Sequence, residues 1–219
     1  MRRLLDEEWG RVEHEAGGLA SGPALSITAT AAAAQARLHG RPGSVCLHVE
    51  GAALAGDVRC ETDVLPWAAA SFDLIVVRHA TDLLADRGLE CELARLLAPG
   101  GTLLLFGLNP LSPWRLWWSR RAGACEPRLR CLAPTRMRER LAGFGLDVTR
   151  PCWLGGAWPS APASHVMQAD DGARWHGVWM LRADKRAAAV RPLPLRHALG
   201  ATGRVAPALA PRVSLRECA

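Results

Sequence analysis

Apolar positions along this chain change their spacing from one stretch to the next. Two short runs, Leu74 to Val77 and Leu103 to Phe106, are unbroken and rich in branched residues. Runs of that length are expected of strands covered on both faces of a parallel sheet. Between them lies a helix-length stretch, Asp82 to Leu97, in which Leu83, Leu84, Leu93, Leu96 and Leu97 can share one buried face. Pro99-Gly100-Gly101 then stops it. Strand, helix, glycine turn and strand make a βαβ unit.

The remaining periodicities fill in an alternating chain. Residues 3 to 16 read as an amphipathic helix with Leu5, Trp9, Val12 and Ala16 at helical spacing, closed by Gly17-Gly18. Ala24 to Thr28 is a first strand, followed by a helix over Ala31 to Leu38. Ser44 to Val49 is a second strand, Asp57 to Cys60 a weak third and Phe72 to Arg78 a fourth. A fifth ends at Gly107-Leu108-Asn109-Pro110. Pro134 to Phe144 reads as a helix with Leu141 and Phe144 inward, and Leu146 to Leu154 and Arg174 to Leu181 as the last two strands. Trp114 to Arg121 mixes tryptophans with arginines and fits a substrate lid, a membrane-surface patch or a buried helix. Pro159 to Gly172 reads as a loop.

Composition changes this picture in two places. The 219 residues suit one domain with a sizeable core. Lys185 to Ala219 holds seven basic residues against Glu217 alone, so the formal charge of +6 resides in that segment. The division expected is a body over 1–183 and a flexible basic Pro/Ala/Arg-rich tail over 184–219, suited to an acidic partner. The seven cysteines show no CxxC and no zinc-like spacing with histidine, so no metal is expected. Their odd number, with no apolar stretch after Met1-Arg2-Arg3, favours free thiols in the cytoplasm. No run approaches the ~20 apolar residues of a transmembrane segment.

Several motifs stand at a shared spacing: Leu65-Pro66-Trp67, Ser71-Phe72-Asp73-Leu74, Glu92-Leu93 with Arg95-Leu96-Leu97, Pro99-Gly100-Gly101, and Gly107-Leu108-Asn109-Pro110. With these the chain resembles the class I S-adenosylmethionine-dependent methyltransferases. The match is to the ubiquinone/menaquinone-type branch, among small bacterial proteins with a GFNP-like motif at the fifth strand. The motifs cover roughly a quarter of the chain, and the order of elements extends the match to about residue 183. The resemblance implies an α/β, Rossmann-like seven-stranded sheet with helices on both faces and the last strand antiparallel. It implies S-adenosyl-L-methionine as cofactor and a methyl acceptor not read from the sequence.

Ligands of open α/β sheets bind beyond the carboxyl ends of the strands, which places Thr28, Glu50, Glu61, His79 and Asn109 along one edge. The family expects a glycine-rich turn after the first strand. Here Ser26-Ile27-Thr28-Ala29-Thr30-Ala31 has none, leaving small residues and the Thr28 and Thr30 hydroxyls. By the resemblance Glu50 would accept the ribose hydroxyls, with an exposed loop glutamate as the alternative. Glu61 would accept from the adenine amino group, with Asp63 as substitute, and Thr62 would offer its backbone N–H. Arg78 joins the cofactor residues. His79 is the candidate base, or a half-buried structural histidine. Asn109 is the candidate substrate residue, or a helix cap.

Two classes of function compete: a methyltransferase, and a binding module that keeps the fold without catalysis. A dinucleotide-dependent oxidoreductase needs a Gly-x-Gly-x-x-Gly turn and a serine hydrolase a Gly-x-Ser-x-Gly elbow. The sequence has neither.

Overall fold

The computed structural model describes residues 2–19, 21–34, 38, 41–84, 88–114, 129–156, 167–168 and 175–187. The chain opens with helix α1 (Arg2–Gly17) and strand β1 (Ala24–Thr28), then α2 (Ala31–Ala34), β2 (Val45–Glu50) and β3 (Ala53–Gly56). Next come β4 (Phe72–Arg78), α3 (Ala80–Leu83), α4 (Gly88–Leu96) and β5 (Leu97–Leu108). It closes with α5 (Pro134–Gly143), β6 (Leu146–Val148), β7 (Cys152–Leu154), the two-residue β8 (Met167–Gln168) and β9 (Val178–Lys185).

The strands form one sheet in the order β3-β2-β1-β4-β5-β9-β7-β8, with β6 also on β9. The pairs β2–β1, β1–β4 and β4–β5 are parallel, and β9 lies antiparallel to β5. Strands β6 and β7 share the far edge of β9, opposite Lys185–Ala183 and Met180–Val178 respectively. They are one strand interrupted at Thr149-Arg150-Pro151, where proline has no amide to give a ladder. Counted that way, the sheet has its seven positions, plus β8 at the rim.

Side chains alternate across the pleat, as strands buried on both faces require. Leu25, Ile27, Ile75, Val77, Leu103, Leu105 and Leu181 meet Leu89, Leu93 and Leu96 of α4 and Met137 and Leu141 of α5. Ala24, Leu74, Val76, Leu104, Phe106 and Met180 meet Leu4 and Val12 of α1. The motif residues brace the first layer. Leu65 N–H donates to Glu92 Oε2 at 3.0 Å, and Arg95 donates to the Leu65 and Trp67 carbonyls at 3.1 and 2.9 Å. Lys185 Nζ donates to the Ala94 and Leu97 carbonyls, satisfying the carboxyl end of α4.

The structure corrects several expectations. The third strand is Ala53–Gly56, antiparallel to β2, and Asp57 to Cys60 contributes only a bridge from Cys60 to Leu54. Gly51, with φ +66, turns the chain in two residues, so β2 and β3 form a hairpin. The stretch Asp82 to Leu97 is two helices. Leu97 already pairs with Phe72, and Ala98 to Gly101 arch out before Thr102 pairs with Leu74. Phe144 lies outward and Met137 inward. The last strand begins at Val178, not Arg174, and runs to Lys185, two residues past the expected body. In α1 the most buried stripe is Leu4, Glu8 and Val12, rotated from Leu5 and Trp9, because Glu8 has a partner beneath it. Most of the 184–219 tail, of Trp114 to Arg121 and of Pro159 to Gly172 lies outside the described residues.

Candidate functional site

Strand order reverses between β1 and β4, and there the carboxyl ends of the two strands part to opposite connections. At the end of β1, Thr28 is fully buried and its hydroxyl reaches the carbonyls of Thr30 and Leu47 at 3.0 and 3.3 Å. Ala29 N–H donates to Arg78 O at 3.0 Å. Ala33 N–H reaches the Thr30 hydroxyl and carbonyl, starting α2. Threonines thus form a turn that glycines form elsewhere.

Arg78 ends β4 and is buried. Its Nη2 donates to Ala33 O at 2.9 Å, and its guanidinium lies 5.3 Å from the Trp9 ring centre, a cation–π contact. Desolvation pulls its pKa down, and the Glu8 charge pushes the other way. Its Nε is buried and has no partner among the described residues.

His79 follows in the left-handed conformation, φ +58, uncommon for a residue with a side chain. Its Nε2 lies 2.9 Å from Glu8 Oε1 and its Nδ1 3.1 Å from Asp82 Oδ2. Both carboxylates are buried. Burial alone would lower the His79 pKa. The Glu8 charge and hydrogen bonds to both acids outweigh it and hold the ring at about 10. That favours the charged ring, with each ring N–H facing a carboxylate oxygen. Glu8 Oε2, like Arg78 Nε, is buried with no partner among the described residues. Asp82 Oδ2 also accepts Leu108 N–H at 2.8 Å, tying α3 to the end of β5.

Asn109 is buried, and its Nδ2 donates to His176 O at 2.9 Å while its Oδ1 accepts Leu111 N–H at 3.1 Å. It fastens the turn after β5 to the segment before β9. His176 itself is buried and its Nδ1 meets the Gly155 carbonyl. A carbonyl only accepts, so Nδ1 carries a proton. Glu50 sits exposed at the hairpin turn, 3.1 Å from Arg59. Glu61 is exposed and Thr62 buried, in the segment that follows the Cys60 bridge.

Thr28, Arg78 and His79 are therefore brought together, with Asn109 joined to them through Leu108 and Asp82. Glu50 and Glu61 lie at the β2–β3 margin, and among the described residues no hydrogen bond or ion pair joins either to that cluster. Sequence reasoning missed Glu8, hidden by reading α1 from its apolar spacing, and Asp82, taken as a helix start. It also missed His176, which falls where a strand was expected. Among the described residues no three or more His, Cys, Asp or Glu gather as metal ligands, and no helix is long and apolar enough to cross a membrane.

No protein-family model and no curated protein sequence matches the chain. Solved structures do. A SAM-dependent methyltransferase from Thermotoga maritima aligns with TM-score 0.53 at 14% identity, over 82% of this chain and 94% of that one. A chain of the Haloferax volcanii complex containing the Trm112 methyltransferase activator gives 0.55 at 18%, over 84% and 93%. A SAM-dependent methyltransferase from Archaeoglobus fulgidus gives 0.52 at 10%, over 83% and 94%. The fold is that of the S-adenosylmethionine-dependent methyltransferases.

Proposed function

We propose that this chain is an S-adenosylmethionine-dependent methyltransferase. The observation that carries the reading is the buried cluster of Glu8, Arg78, His79 and Asp82 at the switch point of a methyltransferase-like sheet. Buried charge at such a position, with one residue held in a strained backbone conformation, is characteristic of functional sites. Five buried side-chain atoms lack a partner among the described residues, and two of them, Glu8 Oε2 and Arg78 Nε, belong to this cluster.

The cofactor would supply a methyl group activated on a sulfonium. Thr28 and Arg78 would border it, Glu50 would accept from the ribose hydroxyls, and Glu61 with Thr62 would read the adenine edge. His79 holds its proton and orders Glu8 and Asp82. Asn109, which donates to the His176 carbonyl, would border the methyl acceptor. Methyl transfer depends mainly on alignment in a dry pocket, so this chain need contribute little beyond positioning. Free thiols fit a cytoplasmic protein, and the basic 184–219 segment suits an acidic partner.

Calorimetry on the full chain with S-adenosylmethionine and S-adenosylhomocysteine tests the reading, followed by transfer of labelled methyl groups into small-molecule and protein fractions. Saturable heat and label incorporation are expected. A second reading, the non-catalytic module, is favoured by one observation: Thr28 and Arg78 spend hydrogen bonds closing the turn on itself. The absence of both heat and thermal shift at millimolar ligand would decide for that module.

A further inference from the structure

We propose that the space between α1 and the residues leading into β2 is a second small-molecule site, shaped for an uncharged two-ring aromatic compound bearing a hydroxyl or amide. It lies apart from the strand ends where the cofactor would bind. The proposal stands whether or not the chain transfers methyl groups.

Trp9, Glu13, Ala16 and Gly17 follow one another at helical spacing along one side of α1. With Leu38 and Arg41, from the stretch before β2, they line a cavity of about 340 Å³. The core does not absorb this side of the helix. Leu4 and Val12 carry the apolar burial of α1, and Trp9 and Ala16 stay half-buried. An apolar stripe legible in the sequence therefore borders open space. Leu38 is buried and belongs to the apolar layer of Val76 and Leu104, so it gives the cavity its depth. Glu13, Gly17 and Ser21 are exposed and form its mouth. Ser21 stands before β1 and Arg41 before β2, which places this end of the cavity by the amino ends of parallel strands. The switch point is at their carboxyl ends. Trp9 spans the two, its ring centre 5.3 Å from the Arg78 guanidinium.

Volume sets the size of the ligand. A dry apolar cavity of ~150 Å³ holds one benzene ring, so roughly twice that space admits two fused rings. The Trp9 indole supplies a flat wall. Stacking on it favours an aromatic over an aliphatic ring by roughly 2- to 10-fold in Kd. Ala16 and Leu38 add apolar surface. Trp9 Nε1 donates to Glu13 Oε1 at 2.8 Å, and Arg41 Nη2 donates to the Ala16 carbonyl at 2.9 Å. Among the described lining residues one acid and one base cancel, and each is engaged within the chain. A ligand of either charge would leave water without gaining a dedicated counter-charge. A neutral polar group can share the hydrogen-bonding capacity of Glu13 and Arg41.

The probe is 2-naphthol, uncharged at neutral pH, titrated into the full chain by calorimetry. Its comparators are 2-naphthoate, 2-naphthylmethylamine and the saturated decahydro-2-naphthol. Saturable one-to-one binding of 2-naphthol is expected, with each charged comparator weaker by about 10-fold or more and the saturated one by roughly 2- to 10-fold. Ala16→Leu places a larger side chain in the cavity and should weaken 2-naphthol by ~10-fold or more, with the circular dichroism spectrum unchanged. In the unaltered chain, 2-naphthol should shift the methyl resonances of Ala16 and Leu38 and leave those of Ile27, buried in the other layer, in place. No saturable binding overturns the proposal, as does undiminished affinity in folded Ala16→Leu. Equal affinity for a charged or the saturated comparator overturns the assigned ligand class. Methyl shifts absent from Ala16 and Leu38 overturn the location, and that measurement decides it should the variant not fold.

Discussion

His79 makes stability depend on alkaline pH. Its folded pKa of about 10 stands above the ordinary histidine value of ~6.5, so folding is favoured by the bound proton. That contribution is complete below about pH 6.5 and is lost as pH rises through about 10. Urea unfolding at pH 6, 8 and 9.5 should show stability falling across the series, and His79→Gln should flatten the fall. A packing prediction belongs to Gly107. A Cβ there would lie 2.2 Å from Trp179 Cζ2, and Trp179 is fully buried with Nε1 donating to the Leu108 and Leu132 carbonyls. Gly107→Ala should cost ~3 kcal/mol or more in equilibrium unfolding, part of it recovered when Trp179→Leu is added. These residues also mark what the sequence hides. Glu8 sits in a helix with other acids, and only the fold shows which of them turns inward.

Among the elements, the loop Leu65 to Trp67 and helix α4 act as one piece. Glu92 accepts from Leu65 N–H and from Arg95, which holds its carboxyl below the usual range, ahead of the opposing effect of burial. Trp67 meets Phe72 edge-on at 5.6 Å. Glu92→Ala leaves an amide and a guanidinium without their acceptor and should cost ~1–3 kcal/mol, with faster amide exchange at Leu65. This explains why scattered residues signalled a family resemblance: they are joined by hydrogen bonds across 27 to 30 positions. Strands β1 and β4 were legible to the residue, since five buried positions of five and six of seven admit little else. The β2–β3 hairpin was not. Gly51-Ala52 resembles any loop, and helical or strand periodicity does not register a two-residue reversal. Likewise, Pro151 breaks the edge strand without disturbing the apolar alternation that made it look continuous.

At the scale of the molecule, residues 1–188 form one compact unit. If the basic segment is a separate tail, ending the chain at Ala188 should leave the melting temperature within about 2 °C. S-adenosylhomocysteine at about 100 times its Kd should raise that temperature by roughly 5–10 °C in scanning calorimetry. The sheet was readable from the alternation of strands and helices, because a parallel core imposes its own hydrophobic runs. The site was readable only where strand ends fix it, as at Thr28, Arg78 and His79. The groups that α1 and the segment before β9 bring in depend on distant packing. The hairpin at Gly51 has a kinetic consequence as well. Its contacts close over two residues and so form on the microsecond scale of local chain reversal, whereas β1, β4 and β5 must wait for slower long-range closure. The margin carrying Glu50 can therefore zip and unzip on its own clock, while the parallel centre of the sheet stays intact.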